Sequence, residues 1–221
     1  MKTRVIAIDG PAGAGKSTVA KDLAKKLKFI YLDTGAMYRA LTLKALRRRI
    51  PLDDQKALVS LLRDTNIEIK SQKDGRLSII LDNEDVTPLI RTNKVTENVS
   101  YVAKMPKVRT IMAGLQRKFG KKNNIVVEGR DIGTVVFPNA EKKFYLDADF
   151  KERVRRRYKE LKEIDKNIIE TKIKRDLKER DTKDLTRKVA PLKKAEDAIY
   201  LDTTNLTIEE VVQDIIKEIN G

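Results

Sequence analysis

One short segment, from Gly10 to Ser17, restricts the fold more than any other part of this sequence. It fits the pattern G-x-x-x-x-G-K-S/T at every fixed position, and it stands between a short apolar run and an amphipathic helical pattern. In such a loop, backbone N–H groups and the start of the following helix surround phosphate oxygens. The segment therefore predicts a strand, a phosphate-binding loop and a helix, in a protein that binds a nucleoside triphosphate.

The loop also suggests roles for individual side chains. We expect Lys16 to reach the β- and γ-phosphate oxygens and the Ser17 hydroxyl to ligate Mg²⁺. Asp33, at the end of the next predicted strand, is a further candidate that would bind Mg²⁺ through a water molecule. The residues expected to bind ATP are Gly10, Pro11, Ala12, Gly13, Ala14, Gly15, Lys16, Ser17 and Thr18.

Short apolar runs elsewhere predict the strands of a parallel sheet covered by helices. They are Val5 to Ile8, Phe29 to Leu32, Ile125 to Val127, Phe144 to Leu146 and Ile199 to Leu201. Asp147 and Asp202 follow the last two runs, and we interpret them as caps of the helices that come next. The final helix begins with a capping-box pattern at Thr207 and Glu210.

Two stretches interrupt this pattern, and each predicts an insertion. Residues 34–122 contain a helix near Met37 to Leu46, a hairpin from Ile67 to Leu81 with its turn at Asp74-Gly75, and a pair of helices after it. Residues 149–192 are dense in charge and amphipathic, which predicts a helical flap with a small core of its own.

Composition limits the chemistry that the chain can perform. It contains no Cys and no His, which excludes disulfides, thiolate metal sites and Ser–His or Cys–His nucleophiles. Phosphoryl transfer needs none of these, because positioning and charge neutralisation do most of the work. No run approaches the ~18 apolar residues that span a membrane. These features indicate a cytoplasmic protein with no membrane partner.

The charge balance is strongly basic, with 48 Lys and Arg against 33 Asp and Glu and a formal net charge of +15. This surplus fits either nucleic acid or a phosphate-rich small molecule as partner. Only 5% of the residues are aromatic and Trp is absent, which disfavours a stacking platform for single strands. We therefore expect no specific nucleic-acid partner.

Several arginines fall where a second phosphate could bind. Arg39 follows the second predicted strand and Arg130 follows the third, at the edge where open α/β sheets bind ligands. Arg180, Asp184 and Arg187 share one face of a predicted helix. A second anion site beside a triphosphate loop favours a kinase over a switch or a motor.

Four segments carry a resemblance to a known family: IDGPAGAGKST, LDTGAMYR, EGRDIGTVVFP and KERDTKDLTRKVAPL, in this order. Together they resemble the bacterial cytidylate kinase family, from Ile8 to about Val212. The resemblance implies a three-layer α/β P-loop fold with a five-stranded parallel sheet. Its parts would be a CORE (1–33, 123–148 and 193–221), an NMP-binding domain (34–122) and a helical LID (149–192). It also implies Mg²⁺-dependent transfer of the γ-phosphoryl group of ATP to CMP and dCMP, and we expect a monomer.

The same resemblance implies the residues that bind CMP. They are Thr34, Arg39, Ser100, Arg109, Arg130, Asp131, Arg180, Asp184 and Arg187. The family also has Ser where this chain has Thr34, and the hydroxyl is kept. The chemistry of cytosine agrees, because an Arg can donate to N3 and O2 while Ser100 and Asp131 accept from the 4-amino group. Uracil would set a donor against a donor.

Charge on the transferring phosphoryl group would be stabilised by Lys16, Arg130 and arginines of the LID. Arg153 and Arg157 are the LID candidates that we favour, and spacing does not separate them from Arg156. No general base is evident, and none is needed if the acceptor phosphate is already ionised.

Two alternatives remain open at this stage. One is a kinase of the same architecture that phosphorylates UMP or another small phosphate ester. The other is a P-loop protein that binds nucleic acid or acts as a GTPase switch. A Ras-like GTPase should contain the base-reading motif N-K-x-D, and Asn93-Lys94 lacks the Asp at position 96.

Overall fold

A parallel sheet forms the centre of the computed structural model, which describes residues 3–71, 77–163 and 166–221. Its strands, numbered in chain order, are β1 (Val5–Asp9), β2 (Ile30–Asp33), β6 (Ile125–Glu128), β7 (Lys142–Asp147) and β8 (Ile199–Asp202). The order across the sheet is β2-β6-β1-β7-β8, and all neighbours run parallel. All five predicted strands are confirmed, with small shifts at their ends.

Helices cover both faces of this sheet, because side chains alternate between the faces along each strand. On one face, Ile6 and Ile8 pack against α1 (Lys16–Leu27) and α8 (Ile208–Asn220). On the other face, Ala7 belongs to a core shared with helices of the long insertion. These are α2 (Thr34–Arg47), α3 (Gln55–Arg63) and α5 (Pro106–Gly120). The result is the expected three-layer α/β architecture.

The long insertion carries a second, antiparallel sheet with strands β3 (Ile67–Ser71), β4 (Leu77–Leu81) and β5 (Glu84–Asp85). This confirms the predicted hairpin, whose turn at Asp74-Gly75 lies outside the described residues. A 3₁₀ turn (Leu89–Arg91) and α4 (Asn93–Ala103) follow. A small core joins this sheet to α2, with members Ala36, Ala40, Ile79, Leu81, Val86 and Ile90.

The charged stretch forms two helices, α6 (Phe150–Lys162) and α7 (Glu170–Thr186). Their shared core is small: Val154, Ile173 and Leu177 pack with Ala12 of the phosphate loop. Helix α7 ends before Arg187, which has an extended backbone. The predicted helical face therefore holds for Arg180 and Asp184 but not for Arg187.

The interpretation of Asp147 and Asp202 as helix caps is wrong, because the helices start further along the chain. Asp149 caps α6 and Thr207 caps α8, the latter through the predicted capping box. Asp147 and Asp202 instead accept hydrogen bonds from the nearby backbone N–H groups of Ala148 and Thr204. Within the described residues, no helix is both long and apolar enough to span a bilayer.

Candidate active site

The phosphate loop leaves the central strand at the carboxyl edge of the sheet. Gly10, Gly13 and Gly15 have positive φ angles of 146°, 81° and 82°. A Cβ on Gly10 would lie 1.9 Å from the backbone oxygen of Leu146, so only glycine fits against β7. The loop geometry therefore depends on the neighbouring strand as well as on the motif.

Lys16 lies inside this loop and is almost fully buried. Its Nζ donates to the backbone oxygen of Pro11 at 2.6 Å. Burial lowers the pKa of Lys16 to about 7, and the nearby Arg130 and Arg180 lower it further, against the opposing effect of carboxylates. A triphosphate bound in this loop would place negative charge beside Lys16 and so stabilise its charged ammonium form.

A buried carboxylate that we did not predict lies close to Ser17. The Tyr31 hydroxyl donates to Glu128 at 2.6 Å and also shares a hydrogen bond with the Ser17 side chain. Burial and the charge of Glu128 raise the pKa of Tyr31 well above its ordinary value, so Tyr31 stays a neutral donor. The position of Glu128 in the sequence could have indicated this proximity, because Glu128 ends β6, the strand beside β1.

Asp33 has contacts on the acceptor side. Its carboxylate accepts from the Ala36 backbone at 2.8 Å, which caps α2, and it pairs with Arg39 at 2.8 Å and with Arg91 at 3.6 Å. The structure thus gives the predicted water-mediated metal ligand a second role, in orienting the predicted phosphate-binding Arg39.

The loop after β6 presents Arg130 and Asp131 and then forms a π-helical turn (Ile132–Val136). Such turns are rare and are frequently found at functional sites. Thr34 donates to the Glu128 backbone oxygen at 2.7 Å, and Arg117 donates to the Val135 backbone oxygen at 2.7 Å. Thr34 therefore supports this loop in addition to its predicted contact with CMP.

Acidic and basic side chains from distant segments meet at this loop. Arg130 pairs with Asp184 at 2.8 Å, and Arg109 hydrogen-bonds to Asp131 in a buried pair. Arg187 lies 3.5 Å from both carboxylates. Burial would raise the pKa of Asp184, but Arg130, Arg180 and Arg187 outweigh it and hold that pKa below its ordinary value.

Among the described residues, one arginine of this region has no partner, and three paired arginines each have a donor atom that makes no hydrogen bond. Within the described part of the chain, Arg180 makes no hydrogen bond or ion pair. Burial, followed by repulsion from Arg130, lowers its pKa to about 10. The buried Nε atoms of Arg39 and Arg109 and Nη2 of Arg187 have no hydrogen-bond partner among the described residues. Unmatched buried donors of this kind suit a polyanionic ligand.

Arg109 connects this cluster to α4. Its Nη1 donates to the Ala103 backbone oxygen at 2.9 Å, and Ser100 lies one turn earlier on the same helix. The Arg109 guanidinium lies 5.6 Å from the ring centre of Tyr38, a residue that the sequence reasoning missed. Burial raises the pKa of Tyr38 to about 12, so its hydroxyl stays protonated.

The arginines of α6 have different environments. Arg153 donates to the backbone oxygens of Ala12 at 3.0 Å and Ala148 at 3.1 Å, and it pairs with Asp181 on α7. Arg156 donates to Thr203 at 3.0 Å. In these contacts Arg153 and Arg156 hold the phosphate loop and the segment after β8.

Arg157 is the least committed of these arginines. It pairs with the exposed Glu160 at 2.7 Å and is itself 30% exposed. Its charge contributes to the lowered pKa of Arg180, so it lies near the unmatched cations. Of the two LID arginines predicted to be catalytic, Arg157 is therefore the freer to contact a phosphate.

A triphosphate loop thus faces a second, arginine-rich anion site at the same edge of a parallel sheet, and this arrangement defines a P-loop kinase of a small phosphorylated acceptor. A solved structure of an uncharacterised protein from Eubacterium ventriosum has a similar fold, with a TM-score of 0.53, 13% identity and 99% coverage of both chains. The cytidylate kinase family model matches residues 6–221.

Individual relatives agree with this match. The chain is 53% identical to a cytidylate kinase of Geobacillus sp. (strain WCH70) over 216 residues, which cover 97% of this chain and 96% of that protein. It is 51% identical to a cytidylate kinase of Carboxydothermus hydrogenoformans, with coverage of 96% and 95%. This chain belongs to the cytidylate kinase family.

Proposed function

We propose that this chain transfers the γ-phosphoryl group of ATP to CMP, giving CDP and ADP, and that it also accepts dCMP. The observation that carries the proposal is the meeting of the Lys16 loop with the paired clusters Arg109–Asp131 and Arg130–Asp184 at one sheet edge. Membership of the cytidylate kinase family supports the same acceptor.

The arginines of the acceptor cluster suit the phosphate of CMP. Arg39, Arg130 and Arg187 would contact its oxygens, and Asp184 with Arg180 would hold the ribose hydroxyls. The phosphate is itself the nucleophile and is largely ionised at neutral pH, so positioning and charge neutralisation carry the reaction. Lys16, Arg130 and Arg157 would stabilise the charge that is transferred.

The Arg109–Asp131 pair suits the edge of cytosine. In this pair a donor lies directly beside an acceptor. Ser100 lies on α4, one turn before Ala103, whose backbone oxygen accepts from Arg109. Cytosine needs donors at N3 and O2 and an acceptor at its 4-amino group. Uracil has N–H at N3 and a carbonyl at C4, so the contacts at these two positions would be mismatched, whereas the contact at O2 would be kept.

Mg²⁺ would be held by oxygen atoms on the donor side, where it would neutralise charge on the β- and γ-phosphates. The Ser17 hydroxyl and the Glu128 carboxylate, joined through Tyr31, fit this ion, and Asp33 is a further candidate through water. Among the described residues, no group of three or more His, Cys, Asp or Glu could form an all-protein metal site. This fits an ion bound mainly by phosphates and water.

The remaining assignments follow from the same reaction. Residues 149–192 would act as a LID that closes over the triphosphate and excludes water, residues 34–122 would bind the monophosphate, and the rest would form the CORE. We assign the enzyme to the cytoplasm, as a monomer that needs no nucleic-acid partner.

A coupled assay of ADP release tests this proposal directly. CMP, dCMP, UMP, AMP and GMP are compared as acceptors with the same Mg²⁺–ATP concentration, and a reaction without acceptor measures ATP hydrolysis. We expect kcat/KM for CMP to exceed that for UMP roughly a hundredfold, from two mismatches of ~1–3 kcal/mol each. Equal values for CMP and UMP would indicate a broader pyrimidine kinase, and activity that survives removal of Mg²⁺ by EDTA would contradict the metal assignment.

A further inference from the structure

Asp9 stands at the junction of the donor and acceptor regions. It is the last residue of β1 and directly precedes Gly10 of the phosphate loop, and it is only 4% exposed. Its carboxylate reaches the loop after β6, where one oxygen accepts from the Ile132 N–H at 2.8 Å and the other from the Gly133 N–H at 2.7 Å.

These two hydrogen bonds take the place of a cap from the residue that directly precedes the π-helical turn. Asp131 occupies the cap position of the π-helical turn, yet its side chain makes no capping hydrogen bond. Asp is one of the residues that usually caps a turn of helix through its own carboxylate. Here Asp9 satisfies the first backbone N–H groups of the turn from another strand. The carboxylate of Asp131 is therefore free to pair with Arg109 and Arg187.

The buried position disfavours the ionised form of the Asp9 carboxylate. Burial raises its pKa to about 6 against the lowering effect of the backbone hydrogen bonds, and the charge of Asp131 raises it further. A neutral side chain of the same size would avoid this cost, but Asn has one acceptor oxygen and would turn its NH₂ group toward an N–H donor. A carboxylate meets both N–H groups at once.

We propose that Asp9 is a positioning residue for the acceptor site, which holds Arg130 and Asp131 in place by capping the turn that follows them. It does not contact the substrate in this role. Because the same residue ends the strand that carries the phosphate loop, it fixes the distance between donor and acceptor phosphates. The inference rests on the proposed function, since it assigns the cluster at Arg130 and Asp131 to the acceptor.

The test compares Asp9→Ala with Asp54→Ala. Asp54 caps α3 and also accepts from two backbone N–H groups, those of Lys56 and Ala57, so both variants lose a carboxylate that caps a turn. We expect Asp9→Ala to raise KM for CMP at least tenfold and to lower kcat, because small displacements of catalytic groups are costly. KM for ATP should change less than twofold, and Asp54→Ala should leave both KM values unchanged.

A second variant, Asp9→Asn, keeps the side-chain volume if Asp9→Ala does not fold. It should show the same rise in KM for CMP and a reduced preference for CMP over UMP, because Asp131 loses its fixed orientation. An unchanged KM for CMP in a folded Asp9 variant overturns the inference, as does a parallel loss toward ATP and CMP. Failure of the proposed function would instead appear in the wild-type enzyme, as a lack of CMP phosphorylation, before any Asp9 variant is compared.

Discussion

The proposed donor and acceptor regions of this molecule are built in different ways. The donor loop is one contiguous stretch whose phosphate-binding groups are neighbours in the sequence, although Ala12 also contacts Arg153 and Asp181. The acceptor cluster joins side chains that are far apart in sequence, such as Arg130 with Asp184 and Arg109 with Asp131. The donor loop can therefore be recognised from its motif, whereas the acceptor cluster exists only in the complete fold.

The two regions should also respond differently to substitution. Lys16 repels neighbouring cations, so its removal costs catalysis but little stability. Removing one arginine of the acceptor cluster leaves a buried carboxylate with fewer cationic partners, which costs both binding and stability. The four predictions below test this contrast, in order of decreasing effect.

Lys16→Ala should lower kcat at least a thousandfold, because it removes the charge that stabilises the transferring phosphoryl group. Its thermal midpoint should stay close to the wild-type value or rise, since repulsion from Arg130 and Arg180 is relieved. Steady-state kinetics and thermal unfolding measure the two effects, with Lys25→Ala on the exposed side of α1 as control. Near-normal turnover in a folded Lys16→Ala enzyme would contradict the donor assignment.

Arg130→Ala should weaken kcat/KM for CMP by about 2–5 kcal/mol and leave ATP binding almost unchanged. Its loss removes the ion pair with Asp184 and the proposed contact to the acceptor phosphate. Calorimetric titration with each nucleotide separates the two sites. Arg4→Ala, which breaks an exposed pair with Glu141, should change neither affinity. An equal loss of ATP affinity in Arg130→Ala would move Arg130 to the donor side.

Asp9 belongs to both regions, and its titration should be visible in the stability of the fold. Its pKa of about 6 in the folded chain is above the ordinary value of 3.8, so folding favours the protonated form. The resulting stabilisation is complete below about pH 4 and is lost as the pH rises through 6, with a size of about 3 kcal/mol.

Unfolding free energies of wild type and Asp9→Asn between pH 4 and pH 7.5 measure this contribution. The wild-type value minus the variant value should fall as the pH rises. A difference that stays constant across this range would show that Asp9 has an ordinary pKa in the folded chain.

Arg109→Met should reduce the preference for CMP over UMP from roughly a hundredfold to a few fold, because Met cannot donate to N3 and O2 of cytosine. The measurement is kcat/KM for both substrates in wild type and variant under the same Mg²⁺–ATP. If a strong preference for CMP survived in Arg109→Met, the function would stand and the base-reading site would lie elsewhere.

The parts of the fold that the sequence predicts are those with a local signal. Five apolar runs predict the parallel strands, and Thr207 with Glu210 predicts the start of α8. The positions of Asp147 and Asp202 after strands do not reveal where the next helix begins, so their interpretation as caps was wrong. Helix α3 was missed although Asp54 caps it and Leu58 and Leu62 recur at helical spacing. The π-helical turn was missed because it has no distinctive pattern.

The sequence alone predicts only part of the proposed acceptor site, since Arg39 and Arg130 follow strands, whereas Ser100 and Arg109 came from the family resemblance. The residues of this site come together through helix and loop packing that no local pattern encodes. The same reason explains why the contact of Arg153 with Asp181, the proximity of Glu128 to Ser17 and the capping by Asp9 were not predicted. The donor loop could be predicted without the family resemblance, since the groups expected to bind phosphate are mainly its own backbone N–H groups.

The place of β1 in the middle of the sheet has a consequence for local opening of the chain. Ile6, Ala7 and Ile8 are fully shielded, so their amide hydrogens exchange with deuterated solvent only when the sheet itself opens. The amides of α6 and α7, whose common core is small, should exchange through a local opening of lower free energy. The phosphate loop begins directly after this shielded strand, so its first residues stay anchored when α6 and α7 open, while the contact of Ala12 with Arg153 is lost.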